Sequence, residues 1–427
     1  MDALVLLGSL LLLIAIGVPV AYALGLASLA GALWIDIPLD AVMLKISDGV
    51  DNFSLLAIPF FVLAGAIMAE GGMAQRLVAF AYIFVGFIRG GLALVNILAS
   101  TFFGAISGSS VADTASIGSV LIPQMEKKGY PRVFATNVTI CGSVQAILIP
   151  PSHNAVIYSL AAGGTVSIAH LFLAGVLPGL LLGLTLMTMC LVIAQRNGFP
   201  KGEAIAPREA LRVAIDALWG LMTMVIIMGG ILGGIFTATE SASVACVYAF
   251  LVTMFVYRDY RWRDLHKLMH RTVRTVAIVM ILIGFASGFG YIMALMQLPA
   301  KVTTFFTAVS NDRYTILLMI NVMLIVLGTL MDMAPLILIC TPILLPVVKA
   351  LGVDPVHFGM IMLVNLGIGL ITPPVGSVLF VGCAVGKVKI EQVVRTIWPF
   401  YIGMFAVLML VTYVPALSLW IPSFLKF

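Results

Sequence analysis

Charge is what this sequence has least of. Asp, Glu, Lys and Arg make up 10% of its 427 residues, against about a quarter in a soluble globular chain. That leaves too little polar surface to clothe a water-soluble body, so lipid is the expected solvent. Cysteine is scarce too. Cys141, Cys190, Cys246, Cys340 and Cys383 all sit in apolar runs and none forms a CxxC pair, which speaks for buried free thiols and against a disulfide framework. There is no HExxH, no Walker loop, no GxSxG and no GxGxxG after a strand, so the chain carries no enzymatic motif. The formal charge of +5 is small for this length and comes mostly from short loops. It reads as topology, with no nucleic-acid partner. The apolar N-terminus lacks a basic leader and a clean cleavage site, and is expected to stay as a membrane segment.

What is present is apolar: 62% of the residues, with 40 glycines and 23 methionines. Runs of the ~20 apolar residues that a spanning helix needs fall near 2–17, 19–35, 53–72, 171–194, 216–236, 241–257, 273–298 and 396–422. The first two are either separate or one long bent helix, since only Gly17-Val18-Pro19 divides them. Two further runs, 91–126 and 314–350, are interrupted by Ser107-Gly-Ser-Ser110 and by Gly328-Thr-Leu-Met-Asp332. Irregular backbone at membrane depth is tolerated only inside protein or beside a cavity, so both read as re-entrant hairpins. The runs 133–162 and 356–386 are broken by Ile149-Pro150-Pro151-Ser152 and Thr372-Pro373-Pro374. Adjacent prolines remove two donors and clash with the preceding turn, so each run should be two half-helices with an unwound link. Two amphipathic stretches, 73–90 and 299–313, each follow a span and precede a hairpin, and read as interfacial arm helices.

A shift of 223 residues, without gaps, superposes the two halves. Gly65 meets Gly288, Pro123 meets Pro346, Val133 meets Val356, Pro150-Pro151 meet Pro373-Pro374, and Gly163 meets Gly386. This is an internal repeat. The basic loops 196–212 and 258–274 are separated by two spans and should both be cytoplasmic. Counting outward from them, the first hairpin enters from the cytoplasm and the second from the periplasm. The expected fold is therefore an all-α polytopic membrane protein with two inverted repeats, each a re-entrant hairpin plus a broken helix. That pattern points to a secondary transporter with a midplane site.

The tip Gly104-Ala-Ile-Ser-Gly-Ser-Ser-Val-Ala-Asp113 offers hydroxyls and freed carbonyls, the oxygens that a hard cation such as Na+ wants. The link from Gly142 to Asn154 can supply facing ligands, and half-helix N-termini can hold a carboxylate. A small-residue packing face is the alternative for such a tip; the paired double-proline break favours the site. The second unit mirrors it with Gly328, Thr329 and Asp332 facing Gly367, Gly369 and Thr372. Asp332 is either a functional intramembrane acid or a cap for the returning helix. Asp113 reads as a cap, and so does Glu240. His153 and Asn154 either meet substrate or are satisfied buried groups. His266 and His270 lie in a basic loop and read as a solvated or lipid-headgroup face, not a metal pair. His170 and His357 stand alone and carry little signal.

Over nearly its whole length the chain resembles the large membrane subunit of tripartite ATP-independent periplasmic (TRAP) transporters. The resemblance is carried by Gly104-Ala-Ile-Ser-Gly-Ser-Ser-Val-Ala-Asp-Thr114, Leu148-Ile-Pro-Pro-Ser-His-Asn154, Leu327-Gly-Thr-Leu-Met-Asp-Met-Ala-Pro335, Asp354-Pro-Val-His-Phe-Gly359 and Gly369-Leu-Ile-Thr-Pro-Pro-Val-Gly376. The Pro-Ser-His-Asn run and the loop Tyr257-Arg-Asp-Tyr-Arg-Trp-Arg-Asp264 look most like the sialic-acid members. The resemblance implies a Na+-coupled elevator in the bacterial inner membrane, with no organic cofactor, moving a carboxylate substrate. It implies two partners, a small four-helix membrane subunit and a periplasmic substrate-binding protein. No extra helices precede the first span, so that subunit is expected to be a separate chain. Carried over by motif, the first Na+ site takes Ser107, Ser110, Gly142, Leu148 and Pro150, and the second Gly328, Asp332, Gly369, Thr372 and Pro373. Substrate is expected to meet Ser109, Gln145, Ser152, His153, Asn154 and Ser377. The transport halves are expected at 91–162 and 314–386, with scaffold at 1–90, 163–313 and 387–427. A self-sufficient Na+- or H+-coupled carboxylate carrier is the same-class alternative. A channel or intramembrane enzyme is the different-class one, but no Ser-Lys, paired-Asp or His-rich site lies at depth, and a channel needs no pair of occluding half-helices.

Overall fold

The computed structural model describes residues 2–70, 72–259, 262–310 and 312–424. The described chain is helical throughout, apart from one isolated bridge between Arg89 and Lys201. Seven of its helices are long and apolar enough to cross a bilayer, Ile168–Arg196 and Trp262–Leu295 being the longest.

The first interrupted run folds as Gly91–Ser107 and Ser110–Lys127. Gly108 ends the outgoing arm with φ 59°, a left-handed value that glycine adopts without strain, and Ser109 caps the returning arm by accepting from the Ala112 amide at 3.3 Å. The second runs Arg313–Leu330 then Met333–Ala350, turning through extended Met331 and Asp332. The double prolines act as expected: Arg132–Ser143 gives way to a tight turn at Val144–Ile147, and a helix resumes at His153–Ala161. Likewise Pro355–Gly369 stops before the prolines and Ser377–Gly386 follows them.

These two broken helices run antiparallel and are tied at both ends. Arg132 at the start of one donates to the Gly386 carbonyl at the end of the other (2.6 Å). Tyr158 near the end of the first donates to the Pro355 carbonyl at the start of the second (2.6 Å). Ile168–Arg196 packs against the first hairpin arm, both broken helices and Trp398–Tyr413. A second group, Val20–Trp34, Leu39–Val50, Ala57–Glu70, Pro207–Leu232, Ala238–Leu251 and Trp262–Leu295, packs mainly within itself. The arm helices Met73–Val85 and Leu298–Val309 bridge the groups by lying along the hairpins.

The N-terminal run, left open as one bent helix or two, is two helices, Asp2–Ala15 and Val20–Trp34, divided at Pro19 and at Gly17, whose φ is left-handed. Other expectations are corrected. Leu39–Val50 is a helix that the search for apolar runs missed, since Asp40, Lys45 and Asp48 interrupt it. The span expected from 273 starts at Trp262, so most of the basic loop is helix; Tyr260 and Arg261 of that loop lie outside the described residues. The last span is bent by 59° between Ile390–Thr396 and Trp398–Tyr413. Glu240 does cap its helix, in a reciprocal capping box with Thr237.

Candidate functional site

Each hairpin crosses its broken helix with the backbones in contact. A Cβ on Gly104 would lie 2.5 Å from Ala146 Cα, and one on Gly369 would lie 2.8 Å from Gly328 Cα. Only glycine permits such approaches, and they bring the tips to the unwound links.

At the first crossing the Ser110 and Ser143 hydroxyls are 2.7 Å apart and buried. The Ser107 hydroxyl accepts from the Ser109 amide at 3.4 Å. A Cβ on Gly108 would approach the Pro151 carbonyl at 2.6 Å and Ser152 Cα at 3.2 Å, and the His153 ring lies against the backbone of Gly108. Ser152 keeps a buried hydroxyl without a hydrogen-bond partner, and Asn154 is buried beside it. The structure thus gathers Ser107, Ser109, Ser110, Ser152 and His153 around one tip. Gly142 borders the same region, since a Cβ on it would lie 3.6 Å from Ser100 Oγ.

Two expected members turn elsewhere. Gln145 is fully buried, donating to the Ile97 carbonyl (2.6 Å) and accepting from Thr101 (3.0 Å). Its amide holds the link to the outgoing arm and is turned away from the tip. The Leu148 carbonyl points at helix Ile168–Arg196, where a Cβ on Gly175 would meet it at 2.1 Å; that carbonyl faces a helix and not the tip. Gly175, Gly179 and Gly183 together form the floor on which Gln145, Leu148 and Ile149 lie. That spacing of glycines was visible in the sequence as a close-packing face but was not connected to the link.

Asp113 does not cap the returning arm; Ser109 does. Its side chain is 0% exposed, and its polar neighbour is the buried Ser100 hydroxyl on the facing arm. Burying a charge costs several kcal/mol, and a helix N-terminus returns at most ~2 kcal/mol. Either a proton or a bound cation must neutralise this carboxyl.

At the second crossing Val375, just past the prolines, donates to the Thr329 carbonyl at 3.0 Å. The Thr372 hydroxyl donates to the Ile368 carbonyl (2.8 Å) and lies beside the Tyr401 hydroxyl. Asp332 occupies the cap position but makes no capping bond. Its carboxylate accepts from the Ser377 hydroxyl at 3.2 Å instead, joining the tip to the half-helix after Pro373-Pro374. Apart from His153, the tips and links present mainly oxygen donors, and among the described residues no His, Cys, Asp and Glu gather into a metal-binding cluster. Oxygen donors with orphaned hydroxyls suit a hard cation. A separate cleft of about 600 Å³, lined by Asn52–Leu55, Ser159, His170 and Phe236–Thr239 among others, contains none of these residues.

Residues 7–417 match the DctM component of tripartite ATP-independent periplasmic transporters. The chain is 46% identical to the uncharacterized protein YgiK of Salmonella typhimurium, over 98% of this chain and 97% of that one. It is 42% identical to the C4-dicarboxylate TRAP transporter large permease protein DctM of Pseudomonas aeruginosa, over 90% of each chain. Further relatives are named for isethionate, 2,3-diketo-L-gulonate and sialic acid. Among solved structures, the YdaH transporter of Alcanivorax borkumensis superposes with a TM-score of 0.61 at 15% identity, covering 99% of this chain and 98% of that one; the likeness speaks for the fold.

Proposed function

Because this chain belongs to the DctM family of TRAP transporter large permeases, and is a multi-pass membrane transporter and not an enzyme, we propose that it moves a small organic acid anion inward, coupled to Na+, by an elevator motion in the bacterial inner membrane. The observation that carries this reading is the antiparallel pair of broken helices tied at both ends by Arg132 and Tyr158. Chain segments 223 residues apart thereby present their unwound links from opposite directions, as an inverted repeat requires. Element bounds support the repeat: Ser110 and Met333, which open the returning arms, are 333 − 110 = 223 apart.

The residues have distinct tasks in this reading. Ser107, Ser110 and the link from Gly142 to Pro150 hold one cation, with the Leu148 carbonyl set aside; Gly328, Gly369, Thr372 and Pro373 hold the other. Bound Na+ supplies the positive charge and the gradient energy. Ser109, Ser152, His153, Asn154 and Ser377, with Asp332 orienting Ser377, form the wall for the anion. Gln145 serves as a strut. The moving body comprises the hairpins, the broken helices and two helices the sequence placed in the scaffold, Ile168–Arg196 and Trp398–Tyr413, because these pack on the links themselves. The family works with a small membrane subunit and a periplasmic binding protein; here we take the small subunit to be a separate chain.

Reconstituted liposomes holding both membrane subunits test the reading. Uptake of a panel of anions (sialic acid first, from the Pro-Ser-His-Asn run, then C4-dicarboxylates and isethionate) should require an inward Na+ gradient and the binding protein. Uptake of any of these with choline replacing Na+, or without the binding protein, would overturn it in favour of a self-sufficient or proton-coupled carrier.

A further inference from the structure

The Asp113 carboxylate is the unexplained group at the first crossing. It is completely buried, and the polar side chain beside it is the Ser100 hydroxyl. Ser100 faces it across the hairpin, and Ser100 also borders Gly142 of the broken helix. One turn earlier on the same helix, Ser110 meets Ser143. No salt bridge in the described residues includes Asp113. A capping role is ruled out by Ser109, which already caps this helix. A buried carboxyl with one hydroxyl beside it and no basic partner is neutral only with a proton or a small cation bound.

We propose that Asp113, with Ser100 beside it, is the fixed counter-charge of the first cation site, neutralising a monovalent cation held between the Ser110–Ser143 pair and the hairpin. The proposal rests on the Na+-coupled reading above and adds a residue to it. The consequence is electrical. With its cation bound, this half of the moving body is neutral. Without it, the body carries one buried negative charge, which holds the empty site where a cation can reach it. The residue 223 positions on from Asp113 is Leu336, which is buried, and the acid of the second unit, Asp332, stands at the turn and accepts from Ser377 instead. The two units therefore place their acids differently although they share an architecture.

Asp113→Asn is nearly isosteric and separates charge from shape. The purified membrane complex is melted in Na+ and in choline buffers of equal ionic strength. The wild type should be stabilised by Na+. Asp113→Asn should melt higher than wild type in choline, because an uncompensated charge is gone. It should also need at least about tenfold more Na+ for half-maximal stabilisation, since a charge partner has been lost. A merely structural role would instead lower melting in both buffers, and that outcome overturns the proposal. Ser100→Ala, which removes only a hydroxyl, provides a milder variant and should shift the Na+ midpoint upward by less. If the wild type responds to Na+ and Asp113→Asn responds identically, Asp113 is not the counter-charge and the Na+ reading stands. If the wild type itself melts alike in Na+ and choline, the Na+ reading fails and this inference with it.

Discussion

At the scale of single residues, the proposed coupling rests on the tip hydroxyls. Ser110 shares a hydrogen bond with Ser143, and Thr372 stands beside the second crossing, donating to the Ile368 carbonyl. Ser110→Ala and Thr372→Ala should each raise the Na+ concentration for half-maximal uptake by about tenfold, the cost of one good oxygen ligand at ~1.4 kcal/mol, with little change in expression. Unchanged Na+ dependence in both would remove these residues from the sites. Ser107, Ser110, Gly328 and Gly369 were legible because they interrupt apolar runs. Ser100 and Ser143 were not, since a buried serine inside a helix leaves no mark in a linear pattern. The direction of the Leu148 carbonyl is a tertiary fact that no spacing encodes.

Whole elements depend on close approach more than on apolar area. The floor of the first link is Gly175, against the Leu148 carbonyl. Gly175→Ala should destabilise the complex by ~1–3 kcal/mol, as overpacking a rigid core does, and slow uptake with it. Gly290→Ala, where nothing lies within 4 Å of the new Cβ, should be neutral. Melting in detergent checks both, and equal losses would contradict the flush packing. The broken helices were readable in advance because Pro150-Pro151 and Pro373-Pro374 make continuation impossible. Leu39–Val50 was not, because its charges hide it from a search for apolar runs. The 34 residues of Trp262–Leu295 span ~51 Å at 1.5 Å per residue, more than the hydrocarbon core, so its basic first turns resembled a loop.

On the scale of the whole molecule, helix Ala57–Glu70, which the proposed motion assigns to the scaffold, touches the first tip. A Cβ on Gly65 would lie 3.6 Å from Ser107 Cβ, within disulfide reach. A Gly65→Cys, Ser107→Cys double variant should stop transporting when oxidised and regain the rate of its own reduced form after reductant. Full uptake while cross-linked would mean that the tip does not move against this helix. The five native cysteines are all buried and leave such experiments a low background. The grouping of helices around the links was only half visible in sequence: the interrupted runs marked the hairpins, but which helices pack on them is a tertiary fact, and Ile168–Arg196 and Trp398–Tyr413 read as ordinary spans.

Opposed insertion of the two hairpins underlies everything proposed for the site. Their returning arms, 18 residues each, reach ~27 Å, so length alone does not fix how they enter. Lys128 and Lys349 are exposed at the bases of the two returning arms. Lys128→Cys and Lys349→Cys, labelled in intact cells with a membrane-impermeant maleimide before and after permeabilisation, measure the sides directly. The account predicts that Lys349→Cys reacts in intact cells and Lys128→Cys only after permeabilisation; both cysteines reacting from the same compartment would contradict it.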